Sequence, residues 1–285
     1  MTSAFTAACI QMTSGREPEA NLAAAAELIR RAHAEGAQLV MTPETTNMME
    51  PRRKLAFEKA ESEAGHGALA AFRDLAAELG VWLLAGSLVV RLGAERLANR
   101  SYLLAPDGEI AARYDKIHMF DVEIPDGQSY RESRAYQAGQ AAVTAALPWG
   151  RLGLTICYDL RFPQLYRALA QGGAEFITVP SAFTRYTGQA HWHVLLRARA
   201  IETGCFVFAP AQCGVHAEGR ETYGHSLIVA PWGEVLADGG AAPGVAAARI
   251  DPEAVRRARA MVPSLSHDRP FQAPGPAQTR RRAGE

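Results

Sequence analysis

Short apolar runs recur at similar spacing from Ala4 to about Arg249, alternating with Ala-rich stretches of helical period, and no Ser/Gly linker or charge block divides them. That alternation predicts strands and helices packed in layers around one core, and 285 residues with 48% hydrophobic content can fill it. Two turn signals, Pro-Asp-Gly at 106–108 and Pro-Trp-Gly at 148–150, each join two runs as a hairpin. Antiparallel pairs are therefore expected beside parallel ones, in an α/β fold with mixed sheets.

The local signals place strands at 4–12, 38–41, 81–90, 102–105, 110–114, 142–147, 152–156, 175–179 and 205–211, with two more flanking the turn at 231–234. Helices are expected at 17–34, with Pro18 near the start and Gly36 just past the end, and at 67–79, stopped by Gly80. Further helices are expected at 163–170, 189–202 and 252–261. Residues 118–139 show little periodicity, so a loop covering a pocket is expected there. One domain spans 1–262, and 263–285, rich in Pro, Gly and Arg and including Arg280, Arg281 and Arg282, reads as a mobile tail.

Thirty basic and thirty acidic residues give a formal net charge of zero, which recommends neither nucleic acid nor an anionic membrane as partner. A small-molecule ligand is expected instead. The first residues lack the basic start and apolar core of a signal peptide, and no run is long enough to span a bilayer, so a cytoplasmic location is expected. Cys9, Cys157, Cys205 and Cys213 have no Cys-x-x-Cys spacing, so reduced thiols are expected rather than disulfides or a zinc knuckle. His191 and His193, two apart on a helix, point in different directions and read as packing or surface groups. His225 reads as structural, and no metal site is expected.

Three chemically distinct residues stand at the ends of apolar runs: Glu44 after Leu-Val-Met-Thr-Pro, Lys116 in Tyr-Asp-Lys-Ile-His, and Cys157 in Leu-Thr-Ile-Cys-Tyr-Asp. Neighbouring strands bring their ends together, so these side chains can meet at one sheet edge. A thiol nucleophile, a carboxylate that carries protons and an ammonium that stabilises developing negative charge together suit acyl transfer. Pro163 opens a helix soon after Cys157, which predicts a thiol pKa lowered by a nearby helix N-terminus. The Tyr158 backbone N–H is the candidate oxyanion donor. Taken singly, each residue has an ordinary reading: a core thiol, a strand-end acid, a solvated lysine.

Pro-Glu44, Tyr-Asp-Lys116-Ile-His-Met-Phe-Asp, Tyr-Arg-Glu132-Ser and Ile-Cys157-Tyr-Asp-Leu-Arg-Phe-Pro, in this order, resemble the nitrilase superfamily of carbon–nitrogen hydrolases over residues 4–250. The resemblance implies a four-layer α-β-β-α sandwich, pairing with a second copy into a homodimer or higher homo-oligomer, and no metal or organic cofactor. It makes Cys157 the nucleophile, Glu44 the general base and acid, Lys116 the oxyanion cation and Glu132 the second glutamate beside Lys116. Ser-Ala-Phe-Thr at 181–184, Thr-Gly-Gln-Ala-His-Trp at 187–192 and Tyr-Gly-His-Ser at 223–226 are similar to the Nit1 branch, the deaminated glutathione amidases. By that resemblance Arg161 binds a substrate carboxylate, with Phe183 and Thr187 as contacts. The segment 45–53 departs from the family's pattern. An ω-amidase of 2-oxoglutaramate, an N-carbamoyl amino acid hydrolase or nitrilase, and a non-catalytic interaction partner are the alternatives.

Overall fold

In the computed structural model, residues 3–125 and 129–275 are described. The first half of the chain runs through Phe5–Gln11 (β1), Pro18–Ala34 (α1), Leu39–Met41 (β2), Arg53–Lys59 (α2), Gly67–Leu79 (α3), Trp82–Arg91 (β3), Leu97–Leu104 (β4) and Ile110–Asp115 (β5). A small hairpin, Asp121–Glu123 (β6) and Ser129–Arg131 (β7), is followed by Val143–Leu147 (β8), Gly150–Leu154 (β9), Pro163–Gln171 (α4) and Phe176–Thr178 (β10). The chain continues through Arg185–Thr203 (α5), Phe206–Ala209 (β11), Cys213–Val215 (β12) and Glu221–Tyr223 (β13). Leu227–Val229 (β14), Val235–Asp238 (β15), Gly244–Ile250 (β16) and Glu253–Met261 (α6) complete it.

Two six-stranded sheets result, ordered β16-β1-β2-β3-β4-β5 and β15-β14-β11-β10-β9-β8. Each has a parallel centre, β1-β2-β3 in the first and β9-β10-β11 in the second, flanked by antiparallel strands. The period-2 alternation of a strand explains how the first sheet covers two cores. Phe5, Ala7 and Cys9 of β1 face the second sheet, whereas Ala8 and Ile10 face the outer helices. On those helices, Ala25, Ile29 and Ala32 of α1 and Leu69, Phe72 and Ala76 of α3 recur at helical spacing and form the buried stripes. Trp192, Leu196 and Ala200 of α5, with Tyr166 and Leu169 of α4, cover the far side of the second sheet. The molecule is thus a four-layer α-β-β-α sandwich, as the family resemblance implies.

Several boundaries differ from expectation. β4 begins at Leu97, five residues earlier than expected, because Asn99, Arg100 and Ser101 interrupt the apolar run yet continue the ladder with β3 and β5. α5 begins at Arg185, capped by Thr184, whose hydroxyl accepts from the Thr187 N–H at 3.4 Å. The aperiodic stretch after His118 holds the β6–β7 hairpin, and α2 has no counterpart in the sequence reading. Of 263–285, the part through Asp268 packs on α4: Arg167 donates to Ser264 O and pairs with Asp268. Arg280, Arg281 and Arg282 lie outside the described residues.

Candidate active site

β2 delivers Glu44. Beyond its end the chain is pinned to β3 by three bonds: Thr42 N–H to Leu84 O, Ser87 N–H to Pro43 O, and Gly86 N–H to Thr42 Oγ1 at 3.0 Å. Gly86 permits this approach, since a Cβ there would lie 1.8 Å from Thr42 O. Thr45 then turns the chain with φ 51°, held by its N–H to Ser87 Oγ at 2.8 Å. The Glu44 carboxylate is left pointing inward, only 4% exposed.

β5 delivers Lys116, whose N–H bonds to Asn99 O on β4. Its Nζ, buried to 2%, lies 2.8 Å from Glu44 Oε1 and 2.9 Å from Glu132 Oε2. Burial acts to lower the Lys116 pKa, but the carboxylates of Glu132 and Glu44 outweigh it and hold the ammonium protonated well above the ordinary lysine range. Glu132, in a short 3₁₀ turn after β7, also accepts the Phe120 N–H at 2.7 Å.

β9 delivers Cys157 from the second sheet. The residue sits at φ 48°, a left-handed conformation costing a non-glycine residue about 1–2 kcal/mol, and its N–H bonds to Pro180 O at 3.0 Å. α4 opens at Pro163 as expected, and a 3₁₀ turn, Cys157–Arg161, lies between Cys157 and that helix start. The expected low thiol pKa is overturned. Burial pushes the Cys157 thiol well above its ordinary range, and the Glu44 carboxylate adds to this against the opposing charge of Lys116. The thiol therefore rests protonated beside the Glu44 carboxylate. Burial would raise Glu44, yet Lys116, the thiol and the Ala182 N–H at 2.8 Å together hold its carboxyl below the usual range. An ionised carboxylate thus faces a neutral thiol.

These groups open into a cavity of about 430 Å³, also lined by Asn99, Tyr158, Phe183, Thr187 and Arg220. The segment that departs from the family's pattern contributes Thr45, Glu50, Pro51 and Arg53 to the wall, and the stretch after His118 contributes Phe120 and Tyr130–Glu132. Five cations, Lys116, Arg53, Arg131, Arg134 and Arg220, face three carboxylates there, which favours an anionic ligand. Arg161 is not among the lining residues. Three positions beyond Tyr158 in the same 3₁₀ turn, it stacks its guanidinium carbon 5.2 Å from the Phe183 ring centre and 6.0 Å from that of Tyr158. Its Nη2 lies 3.3 Å from His191 Nδ1.

Asn99 was not singled out by its sequence. Its Nδ2 donates to Glu44 Oε1 at 2.8 Å and to Glu132 Oε1 at 3.1 Å, bridging the two carboxylates on either side of Lys116, while its buried Oδ1 has no partner among the described residues. Its place as the first of three polar residues, Asn99, Arg100 and Ser101, within the run is the signal that could have found it.

The carbon-nitrogen hydrolase family model matches residues 6–260, so this chain belongs to the carbon-nitrogen hydrolase family of the nitrilase superfamily, hydrolases of carbon–nitrogen bonds other than peptide bonds. It is similar to the deaminated glutathione amidase of Synechocystis sp., at 45% identity over 268 residues covering 92% of this chain and 97% of the relative. The crystal structure of the Caenorhabditis elegans NitFhit protein superposes with a TM-score of 0.88 at 38% identity, covering 94% of this chain and 66% of the fusion protein. A mutant of the amidase from Nesterenkonia sp. AN1, with the acetamide moiety of fluoroacetamide added covalently at the active-site cysteine, superposes at a TM-score of 0.80 with 27% identity, covering 94% of this chain and 95% of its own.

Proposed function

We propose that the protein is a deaminated glutathione amidase, cleaving the amide of the 2-oxo analogue of glutathione to 2-oxoglutarate and cysteinylglycine. The observation that carries this reading is the buried carboxylate of Glu44, which shares one cavity wall with the Cys157 thiol and lies 2.8 Å from Lys116 Nζ. Glu44 takes the thiol proton as sulfur attacks the amide carbon. The oxyanion that forms is held by Lys116 and the Tyr158 N–H, and positioned donors of this kind each lower a barrier by about 3–4 kcal/mol. Glu44 then protonates the departing amine, the C–N bond breaks, and a thioester remains on Cys157. The same carboxylate deprotonates the water that hydrolyses the thioester, releasing the acid and the free thiol. Glu132 keeps Lys116 charged and oriented.

The relatives' names and the cationic cavity support an anionic 2-oxo acid amide, and a volume of about 430 Å³ falls within the range of about 300–1,000 Å³ that takes ligands of this size. Arg161, packed behind the Phe183 ring, is the proposed fork for the 2-oxo acid carboxylate, with Phe183 and Thr187 as contacts. The test is hydrolysis of deaminated glutathione against 2-oxoglutaramate and an N-carbamoyl amino acid, followed by mass spectrometry with Cys157→Ala as control. Preference for deaminated glutathione that vanishes in the variant supports the assignment; preference for another amide overturns the substrate.

The assembly is proposed as a homodimer or larger homo-oligomer. Val194 and Ile201 stand seven apart on α5, 67% and 56% exposed, and Ile201 packs beside Gly233 in the turn that also exposes Trp232. Light scattering would check it: a mass of one chain, 30.7 kDa, rejects the pairing. The hydrolase domain is taken as 1–262 and the location as cytoplasmic. Among the described residues no helix is long and apolar enough to cross a membrane.

A further inference from the structure

Outside the cavity, three side chains from separate elements meet. His193 lies on α5, His225 in the loop between β13 and β14, and Asp238 at the end of β15. His193 Nε2 is 3.1 Å from Asp238 Oδ2, and His225 Nδ1 is 2.9 Å from Asp238 Oδ1. One ligand atom from each lies within 4.8 Å of the other two. We propose that His193, His225 and Asp238 form a surface site for a divalent transition-metal ion of the Zn²⁺ class, which clamps α5 to the edge strand of the second sheet.

The spacing fits such an ion. Metal–ligand bonds of about 2.0–2.1 Å in tetrahedral geometry set ligand atoms about 3.3 Å apart. Measured to the single oxygen Asp238 Oδ2, both nitrogen–oxygen edges already come close to that length, 3.1 Å from His193 Nε2 and 3.2 Å from His225 Nδ1. Two imidazoles and a carboxylate are the donor set that suits Zn²⁺, and the partial exposure of all three leaves the remaining position to water. Protons on the facing ring nitrogens now bridge to the carboxylate. The ion replaces them, each imidazole carrying its proton on the opposite nitrogen.

The ligands are also held in place by contacts that do not involve one another. His225 adopts φ 53°, donates its N–H to Gly240 O at 2.7 Å, and stacks on Tyr223 at 4.5 Å between ring centres. Its carbonyl accepts from Trp192 Nε1 at 2.7 Å, so the fully buried residue preceding His193 fixes α5 against the backbone of the second ligand. The Gly240 N–H holds Asp238 Oδ1 at 2.9 Å. Orientation of ligands by outer bonds of this kind typically changes metal affinity by about 10–100-fold. The sequence hides the site because the partner of His193 is His225, far along the chain, and not its neighbour His191.

The test is Zn²⁺ equilibrium dialysis and thermal melting of chelator-treated protein carrying Cys157→Ala, which removes the nucleophilic thiol as a competing ligand. The expected result is about one Zn²⁺ per chain with a raised Tm, both depending on the three ligands. Asp238→Asn and His193→Ala should each weaken binding about tenfold or more and abolish the Zn²⁺-induced rise, while His191→Ala binds as the parent does. Metal-free melts establish that each variant is folded. No Zn²⁺ above background, or unchanged binding in Asp238→Asn and His193→Ala, overturns the site.

Discussion

The Tyr114 hydroxyl donates to Asp159 Oδ2 at 2.7 Å, and this bond joins the strand that delivers Lys116 to the turn that opens at Cys157. The same carboxylate receives the Ile156 N–H at 2.9 Å and, through Oδ1, the His118 N–H at 3.0 Å. Two sequence motifs that read as separate signatures are therefore two halves of one clasp, fastened by a buried acid.

Tyr114→Phe should cost about 1.5–3 kcal/mol, the range for a hydrogen bond to a charged group, because Asp159 loses a donor that no water replaces. Urea unfolding measures the loss, and turnover should fall with it as the nucleophile's turn loosens. A variant as stable and active as the parent would show that the clasp is redundant.

Glu132→Gln should leave the fold intact and lower kcat about a hundred-fold, since Lys116 keeps Glu44 but loses its second carboxylate. Steady-state kinetics beside a melting curve separates the two effects. An unchanged kcat removes Glu132 from the machinery.

Asn99→Leu should leave both glutamates short of a donor, costing about 1–3 kcal/mol and reducing turnover. Asn99→Asp, which adds negative charge between two carboxylates, should be worse than Leu in activity. The order of the two variants is the measurement; Asp at or above Leu would mean that charge between the glutamates is immaterial.

Arg161→Lys should raise KM for the 2-oxo acid amide about tenfold or more with little change in kcat, because an ammonium cannot reproduce a two-bond grip on a carboxylate. Equal KM would assign the carboxylate to one of the guanidiniums that line the cavity, Arg220 or Arg131.

His216 is buried between Ser14 O at 2.9 Å and Thr222 Oγ1 at 2.7 Å. Burial lowers its pKa from 6.5 to about 4, with Arg220 adding to the fall and the Ser14 carbonyl opposing it. The unfolded chain thus binds a proton that the folded one refuses. Stability is fully present above pH 6.5 and is lost as pH falls toward about 4, by about 3 kcal/mol. Urea midpoints across this window should decline in the parent and flatten in His216→Gln.

Much of the fold was legible because burial imposes period. Ala8 and Ile10 alternate with Ala7 and Cys9 on β1, and the helical stripes of α1 and α3 are equally plain. Glu44, Lys116 and Cys157 were legible as reactive groups at the ends of apolar runs. What escaped was set by tertiary contacts. α2, seven residues long, is too short for periodicity to mark it. The early start of β4 and the bridge made by Asn99 depend on acids elsewhere in the chain. The thiol pKa is equally hidden from the sequence, because burial and the Glu44 carboxylate set it rather than the helix start nearby in the chain.

Glu44 and Lys116 hang from the first sheet, whereas Cys157 and the Ala182 N–H hang from the second. Neither sheet alone holds both the carboxylate and the thiol. A folding intermediate with one sheet complete would bury a core and show native strands, yet remain inert. Recovery of amide hydrolysis during refolding is thus a clock for the docking of the two sheets, one that circular dichroism does not read.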